Sequence, residues 1–361
     1  MRVLLLEPYD GGSHRRFLDE LTRELDLDVL RLSRPARAWK WRMRFAAPDF
    51  AARLRALRAA DRRFDLVIAS TFLDLAAFRA LAPAEIARRP HLLYFHENQF
   101  AYPAQREDER DLHFGVTNFQ SALAAERCLF NSRHNLESFL DAAADLARRA
   151  PDMDLTSLVP DVRSRSAVLP VPLDLRAEPP CAAPRPAGPP LVLWNHRWEH
   201  DKDPEAFFRV VETVAARGLD FEVAVAGESF ARRPAVFDEA PARLGARLVH
   251  HGFLPSRADY LSLLRRSALC VSTARHEFQG LAVLEAAAQG AHLLLPDRLS
   301  YPELFPDLAR YRDEEDLLSR LAAFVAAPPP VDPDLVARAI DFSWERLAPR
   351  WREELEALAA S

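Results

Sequence analysis

Short apolar runs recur along the chain, each closed by a polar or glycine-bearing turn and followed by a longer segment with helical spacing. Residues 3–6, 65–70, 91–95, 128–130 and 166–169 form one series of such runs; residues 191–194, 221–226, 247–250, 267–273 and 292–295 form a second. Runs apolar on both faces predict strands buried on both sides, as in parallel sheets covered by helices. Between them the spacing predicts helices over residues 15–25 and 114–125, and one capped by Asn131 or Ser132 that carries Glu137. Further helices are expected to start near Pro204 and Tyr301, to run from Gly280 to Gly290, and to form an amphipathic segment over residues 343–358. Strand and helix in alternation predict the α/β class with two parallel sheets. The Pro-rich polar stretch over residues 170–190 reads as a linker between a first half, residues 1–180, and a second, residues 190–342.

At 361 residues the chain is long enough for two domains with a core each. A hydrophobic content of 49% and a charged content of 28% describe a globular protein. A net charge of -5 leaves no overall basic field, so an RNA contact has to use a local patch. Cys128, Cys181 and Cys270 are an odd set without metal-ligand spacing, which points to a reducing compartment. The opening apolar run is too short for a secretory leader and no run is long enough to span a membrane, so the expected location is the cytoplasm.

The candidate chemistry gathers where the apolar runs end, which is where open α/β sheets take their ligands. After residues 267–273 come Glu277 and Glu285, around a turn made by Phe278, Gln279 and Gly280. With a helix starting at Gly280, the free amides of Gly280, Leu281 and Ala282 would face the crevice and favour a phosphate. The plain alternative is two glutamates in ordinary ion pairs. After residues 3–6, Gly11 and Gly12 bring backbone close to a phosphate or simply make a tight turn; the dinucleotide fingerprint G-x-G-x-x-G is absent. After residues 91–95 come His96, Glu97, Asn98 and Gln99, with a purely strand-capping histidine as the structural alternative. Phe100 stands where the zinc motif H-E-x-x-H needs its second histidine, so no metal site is expected.

After residues 191–194, Arg197 and Lys202 precede the helix at Pro204, placed to clamp a diphosphate or to pair locally with Glu199, Asp201 and Asp203. Residues 196–200 also match an H-x-x-E-H metallopeptidase string, but that motif belongs on a helix and these residues lie between a strand and Pro204. His250 and His251 read as structural. Arg31, Arg34, Arg37, Lys40, Arg42 and Arg44 are interleaved with Trp39 and Trp41, the mixture that phosphate contacts and base stacking need. It equally suits an amphipathic surface on anionic lipid, or a solvated helix with its tryptophans packed inward.

With the strand before it and Gly290 after it, the Glu277/Glu285 pair resembles the Glu-x7-Glu signature of the retaining glycosyltransferases of family 4. Residues 11–14, 39–42, 94–99, 196–204, 276–278 and 342–344 extend the resemblance along nearly the whole chain. They point to a branch of that family that moves mannose from GDP-mannose onto queuosine in the anticodon of tRNA-Asp. Gln279 departs from the aromatic or small residue usual there, and the linker is shorter than in that branch. The resemblance implies the GT-B fold, two facing Rossmann-like domains with an interdomain cleft, with residues 343–361 packed back on the first. It implies a retaining hexosyltransferase that needs no metal and no cofactor beyond the nucleotide sugar.

It further implies that Glu277 and His96 position the sugar while Arg197 and Lys202 neutralise the leaving diphosphate. Gly11, Gly12, Phe278, Gln279, Gly280, Leu281 and Glu285 would line the donor, with Glu285 on the ribose. Ser13, His14, Arg37, Trp39, Lys40, Trp41, Arg42 and Asn98 would face the acceptor or its tRNA, so the expected partners are a queuosine-containing tRNA and a nucleotide sugar. Open beside this stand a family-4 enzyme with a lipid or small-molecule acceptor, a nucleotide-sugar epimerase of the same build, and a non-catalytic RNA-binding or nucleotide-sugar-sensing protein.

Overall fold

The structure is a computed structural model that describes residues 1–101, 112–176, 179–181, 188–230 and 233–361. Tyr102 and Pro103, which follow the His96 block, and much of the expected linker lie outside the described residues. The chain divides into two compact units, Met1–Pro172 with Leu347–Ser361, and Leu173–Arg346. Residues 173–176, at the start of the Pro-rich stretch, belong with the second unit: the Leu173 N–H donates to Phe342 O at 2.7 Å and Leu173 bridges Ser343 in parallel.

Unit 1 is built from strands β1 (Arg2–Asp10), β2 (Asp28–Pro35), β3 (Leu66–Ser70), β4 (His91–Phe95), β5 (Arg127–Phe130) and β6 (Ser166–Val168). Its helices are α1 (Gly12–Glu24), α2 (Trp39–Arg55), α3 (Leu75–Leu81), α4 (Ala84–Ala87), α5 (Leu112–Ala124), α6 (Arg133–Arg148) and α7 (Leu158–Ser164). The strands form one parallel sheet in the order β2-β1-β3-β4-β5-β6. The inner strands β3 and β4 are buried throughout, which is why they read as unbroken apolar runs. Strand β2 was not legible as a strand. It lies at the sheet edge, only partly buried, and carries Arg31 and Arg34, which bond to Asp10, Asp19 and Asp49. Ser132 caps α6 by accepting the Asn135 N–H at 3.0 Å.

Unit 2 repeats the plan with strands β7 (Leu191–Trp194), β8 (Glu222–Ala226), β9 (Leu248–Gly252), β10 (Ser267–Val271), β11 (His292–Pro296) and β12 (Arg310–Tyr311). Its helices are α8 (Pro204–Ala216), α9 (Val236–Leu244), α10 (Arg257–Arg266), α11 (Leu281–Ala288), α12 (Tyr301–Leu304), α13 (Glu314–Ala326) and α14 (Pro333–Ile340). The parallel order is β12-β11-β10-β7-β8-β9. Alternate residues feed two cores: Leu191, Leu193, Cys270 and Leu295 face one side, and Val192, Trp194, Leu269 and Val271 the other.

The last helix, α15 (Trp344–Ala359), contributes its residues from Leu347 onward to unit 1. There the fully buried Trp351 packs on Phe17 and Tyr94, with ring centroids 5.3 and 5.2 Å away. Arg127 grips Glu354 with two hydrogen bonds of 2.7 and 2.8 Å. Among the described residues no helix is long and apolar enough to cross a membrane.

Candidate active site

In unit 2 the strand order reverses between β7 and β10, and such a reversal opens a crevice at the strands' carboxyl ends. Two loops meet there. The loop leaving β7 passes Arg197 and a single tight turn at His200–Lys202 before α8. The loop leaving β10 runs to Gly280 and into α11. They are sewn together: Thr273 Oγ1 donates to Lys202 O at 2.8 Å, the Arg275 N–H donates to Asp201 O at 2.8 Å, and Arg275 Nε donates to Asp203 Oδ2 at 2.8 Å.

This stitching forces Lys202 inward, its side chain only 7% exposed. Its Nζ donates to His276 O at 2.6 Å and lies 3.3 Å from Glu277 Oε2 and 3.5 Å from Asp201 Oδ2. Burial alone would raise the Glu277 carboxyl, but Lys202, His196, His276 and the Gly280 N–H outweigh it and bring it down to about 2. Burial, then the charge of Lys202, holds His196 down at about 4, so it stands neutral beside the ion pair. Burial also raises Glu199.

The remaining donor-side candidates are placed as follows. Arg197 is half-exposed, with Nη2 3.1 Å from Glu199 Oε2, and so makes the local pairing foreseen as the alternative. Phe278 is buried edge-on against His276 at 4.5 Å, and Gln279 is buried beside it. Gly280 takes φ 81°, a left-handed turn that glycine adopts without strain, and caps α11. Its amide was expected to be free for a ligand; instead it bonds Glu277, leaving the helix start at Leu281 as the nearest backbone donor. Glu285 lies one turn into α11, where its Oε1 accepts from Arg257 Nη2 at 2.7 Å.

In unit 1 the order reverses between β1 and β3. Glu7, near the carboxyl end of β1, is 1% exposed. Its Oε1 accepts the Tyr9 N–H at 2.8 Å and the Ser70 hydroxyl from β3 at 2.9 Å, while Oε2 lies 3.2 Å from His14 Nδ1. The His14 ring lies against that of His96, just past β4, with centroids 4.0 Å apart. His96 also meets Tyr94 and Phe17 edge-on at 4.6 and 5.1 Å. Burial first, and His14 second, hold His96 well below the usual histidine range, so it is neutral. Glu7 escaped the sequence reading. Its only local signal is a carboxylate closing an apolar strand ahead of Gly11 and Gly12, and its partner Ser70 lies 63 positions away.

Glu7, His14 and His96 bring three potential metal-ligand atoms within 4.8 Å of one another. Two imidazoles bound tetrahedrally at about 2.0 Å from one zinc would hold their centroids roughly 5 Å apart. The two rings here are closer, with planes tilted by 34°, and the carboxylate already serves two other donors. The arrangement is that of a hydrogen-bonded cluster with two imidazoles in contact.

The other unit 1 candidates, Gly11 and Gly12 for the donor and the rest for the acceptor, divide. Gly11 joins β1 to α1, and a Cβ there would lie 2.5 Å from Ala36 Cβ; Gly12 and Ser13 are exposed beside it. Asn98 was expected to face the acceptor. It is fully buried instead, its amide donating to Asn135 Oδ1 at 2.8 Å and Ser138 Oγ at 3.1 Å and its carbonyl accepting from Ala101 N at 2.8 Å. Trp39 packs on Phe114 at 5.0 Å, whereas Trp41 is 66% exposed. Arg37 and Lys40 are exposed and Arg42 is half-buried.

Residues 2–173 match the family model described as tRNA-queuosine alpha-mannosyltransferase N-terminal. Over 337 residues, covering 90% of this chain and 87% of the relative, the sequence is 34% identical to the tRNA-queuosine alpha-mannosyltransferase of Drosophila melanogaster. The chain belongs to the tRNA-queuosine alpha-mannosyltransferase family. Solved structures carry the same fold at low identity. Sucrose-phosphate synthase from Thermosynechococcus elongatus matches over 100% of both chains with a TM-score of 0.76 and 16% identity. HepE of Anabaena, solved in complex with UDP, matches over 99% of this chain and 100% of its own with a TM-score of 0.68 and 14% identity. The two parallel sheets are thus the Rossmann-like domains of the GT-B fold, and this member of the family is a hexosyltransferase.

Proposed function

We propose that this enzyme moves mannose from GDP-mannose, with retention, onto the cyclopentene-diol of queuosine in the anticodon of tRNA-Asp. The observation that carries the proposal is the 34% identity to a tRNA-queuosine alpha-mannosyltransferase across nine-tenths of the chain. The donor falls to unit 2. Lys202 and Arg197 offset the charge that grows on the diphosphate, and the amide of Leu281 at the start of α11 adds to them. Glu285 takes the ribose and Glu277 the sugar hydroxyls, and His96 serves catalysis from the neutral state that its burial fixes. Ser13 and His14 serve the acceptor nucleoside, and Arg37, Lys40, Trp41 and Arg42 the tRNA.

The acceptor oxygen bonds to the anomeric carbon as the bond from that carbon to the phosphate oxygen breaks. The electron pair leaves on the diphosphate, whose oxygen takes the acceptor proton. Two side-chain cations at the diphosphate supply charge compensation, so the reaction is proposed to proceed without a metal, in the cytoplasm where tRNA is at hand. The supporting geometry is the Lys202–Glu277 pair: a buried cation held at a strand-end crevice by a carboxylate that stays ionised down to about pH 2.

The test is incubation with GDP-mannose and queuosine-containing tRNA-Asp, then mass spectrometry of the nucleosides, with queuosine-free tRNA as control. A hexose mass gain on queuosine alone is expected. Slow GDP release without that gain would keep the transferase and overturn the acceptor.

A further inference from the structure

Helix α2 turns two aromatic rings to solvent. Trp41 is 66% and Phe45 53% exposed, and their i, i+4 spacing stacks them with centroids 5.1 Å apart and planes 25° from parallel. The pair is not overflow from the core, because the inner face of α2 is filled by Met43, Ala46, Ala47, Phe50 and Leu54. Cations accompany it on α2 and just before the helix. Arg37, Lys40 and Arg44 are exposed, with Lys40 Nζ 5.6 Å from the Trp39 ring and the Arg44 guanidinium 5.1 Å from that of Phe114. The one carboxylate on the helix, Asp49, is held by two hydrogen bonds from Arg34. A positive surface with a flat aromatic centre fits a phosphate chain bearing unstacked bases. Leu, Ile and Val are absent from the exposed face, which sets it apart from a surface made to enter lipid.

We propose that Trp41 and Phe45 form the platform on which an unpaired base of the RNA substrate stacks, with Arg37, Lys40 and Arg44 on the flanking phosphates. The inference rests on the RNA acceptor proposed above and narrows it. It adds Phe45, which no motif singles out, and assigns Trp39 to packing.

The experiment measures binding of a tRNA that lacks queuosine, by titration of tryptophan fluorescence and by filter retention. Trp41→Ala and Phe45→Ala should each weaken binding about tenfold to hundredfold. Trp41→Phe should restore most of the affinity, and thermal unfolding should not change because both rings face water. Wild-type affinity in Trp41→Ala would overturn the inference. So would unchanged RNA binding with loss of adhesion to phosphatidylglycerol vesicles, which would make the face a lipid contact. Because the probe carries no queuosine, the two proposals fail separately. Mannose transfer by a wild type whose RNA binding tolerates Trp41→Ala sinks only the platform. RNA binding through Trp41 without mannose transfer sinks only the reaction.

Discussion

The Glu7 carboxylate lies 3.2 Å from the His14 imidazole at the strand reversal of unit 1, and it spends its other oxygen on Tyr9 and Ser70. Both oxygens face donors, so an amide at this position turns one contact into a clash of N–H groups. Glu7→Gln should cost about 1–3 kcal/mol of stability. It should also lower kcat more than it raises the KM for donor, since His14 and through it His96 lose their fixed orientation. Ser70→Ala, which removes one donor and leaves the carboxylate paired with His14, should cost roughly 1 kcal/mol and spare kcat. Thermal unfolding with steady-state kinetics on the two variants separates positioning from packing; equal kcat losses would contradict it.

Lys202 and Glu277 make the second pair to test. Lys202→Met strands a mostly buried carboxylate and should destabilise unit 2 by roughly 3 kcal/mol, more than Glu277→Gln, which leaves Lys202 its bonds to His276 O and Asp201. The double variant should recover part of the loss, with a coupling of about 1–3 kcal/mol. All three proteins should lose transfer activity. Additive unfolding energies would show that the two residues do not act as a pair.

Acid should unfold the protein in two stages. Burial, with Arg79 next, holds His91 of unit 1 at about 4, as burial and Lys202 hold His196 of unit 2. Between about pH 6.5 and pH 4 the unfolded chain binds a proton at each histidine that the folded chain refuses, so stability falls with falling pH, by about 3 kcal/mol per histidine at the lower limit. Glu277 then extends the loss. Its contribution is complete above about pH 4.5 and disappears as the pH falls towards about 2. Denaturant midpoints taken across this range check the slope, and His91→Leu should reduce it between about pH 6.5 and pH 4, leaving the part due to His196.

Gly280→Ala probes the start of α11. A methyl group there meets Tyr301 Cε1 and Val283 Cγ2 at 3.2 Å and forces a side chain into φ 81°. The expected cost is about 1–2 kcal/mol, together with weaker donor binding as the amide shifts from Glu277. Isothermal titration with GDP reads the second effect; unchanged affinity would separate this turn from the donor.

Much of the scaffold was readable without the fold. A strand covered on both faces must be apolar throughout, so β3, β4 and β10 declared themselves as unbroken runs. The Gly280 turn and the Pro204 helix start follow from backbone preferences that act within a few residues, and they placed Glu277, Glu285, Arg197 and Lys202 in loops or helices before any contact was known. Strand β2 stayed hidden because an edge strand has no need of an apolar face, and its arginines find their carboxylates on α1, α2 and β1.

Contacts between distant segments were a matter for the fold alone. Lys202 meets Glu277 across 75 positions, and Glu7 meets Ser70 across 63, because strand order sets β7 beside β10 and β1 beside β3. Asn98 reads like any polar residue at a strand end until the packing of α6 closes over it. Trp39 and Trp41 sit two positions apart on one helix and so point to different sides of it; what decides which side is inner is the sheet and α5, not the helix itself. Local energies choose strand, helix and turn, whereas the meeting of buried charges depends on which segments the fold brings together, and no local pattern encodes that.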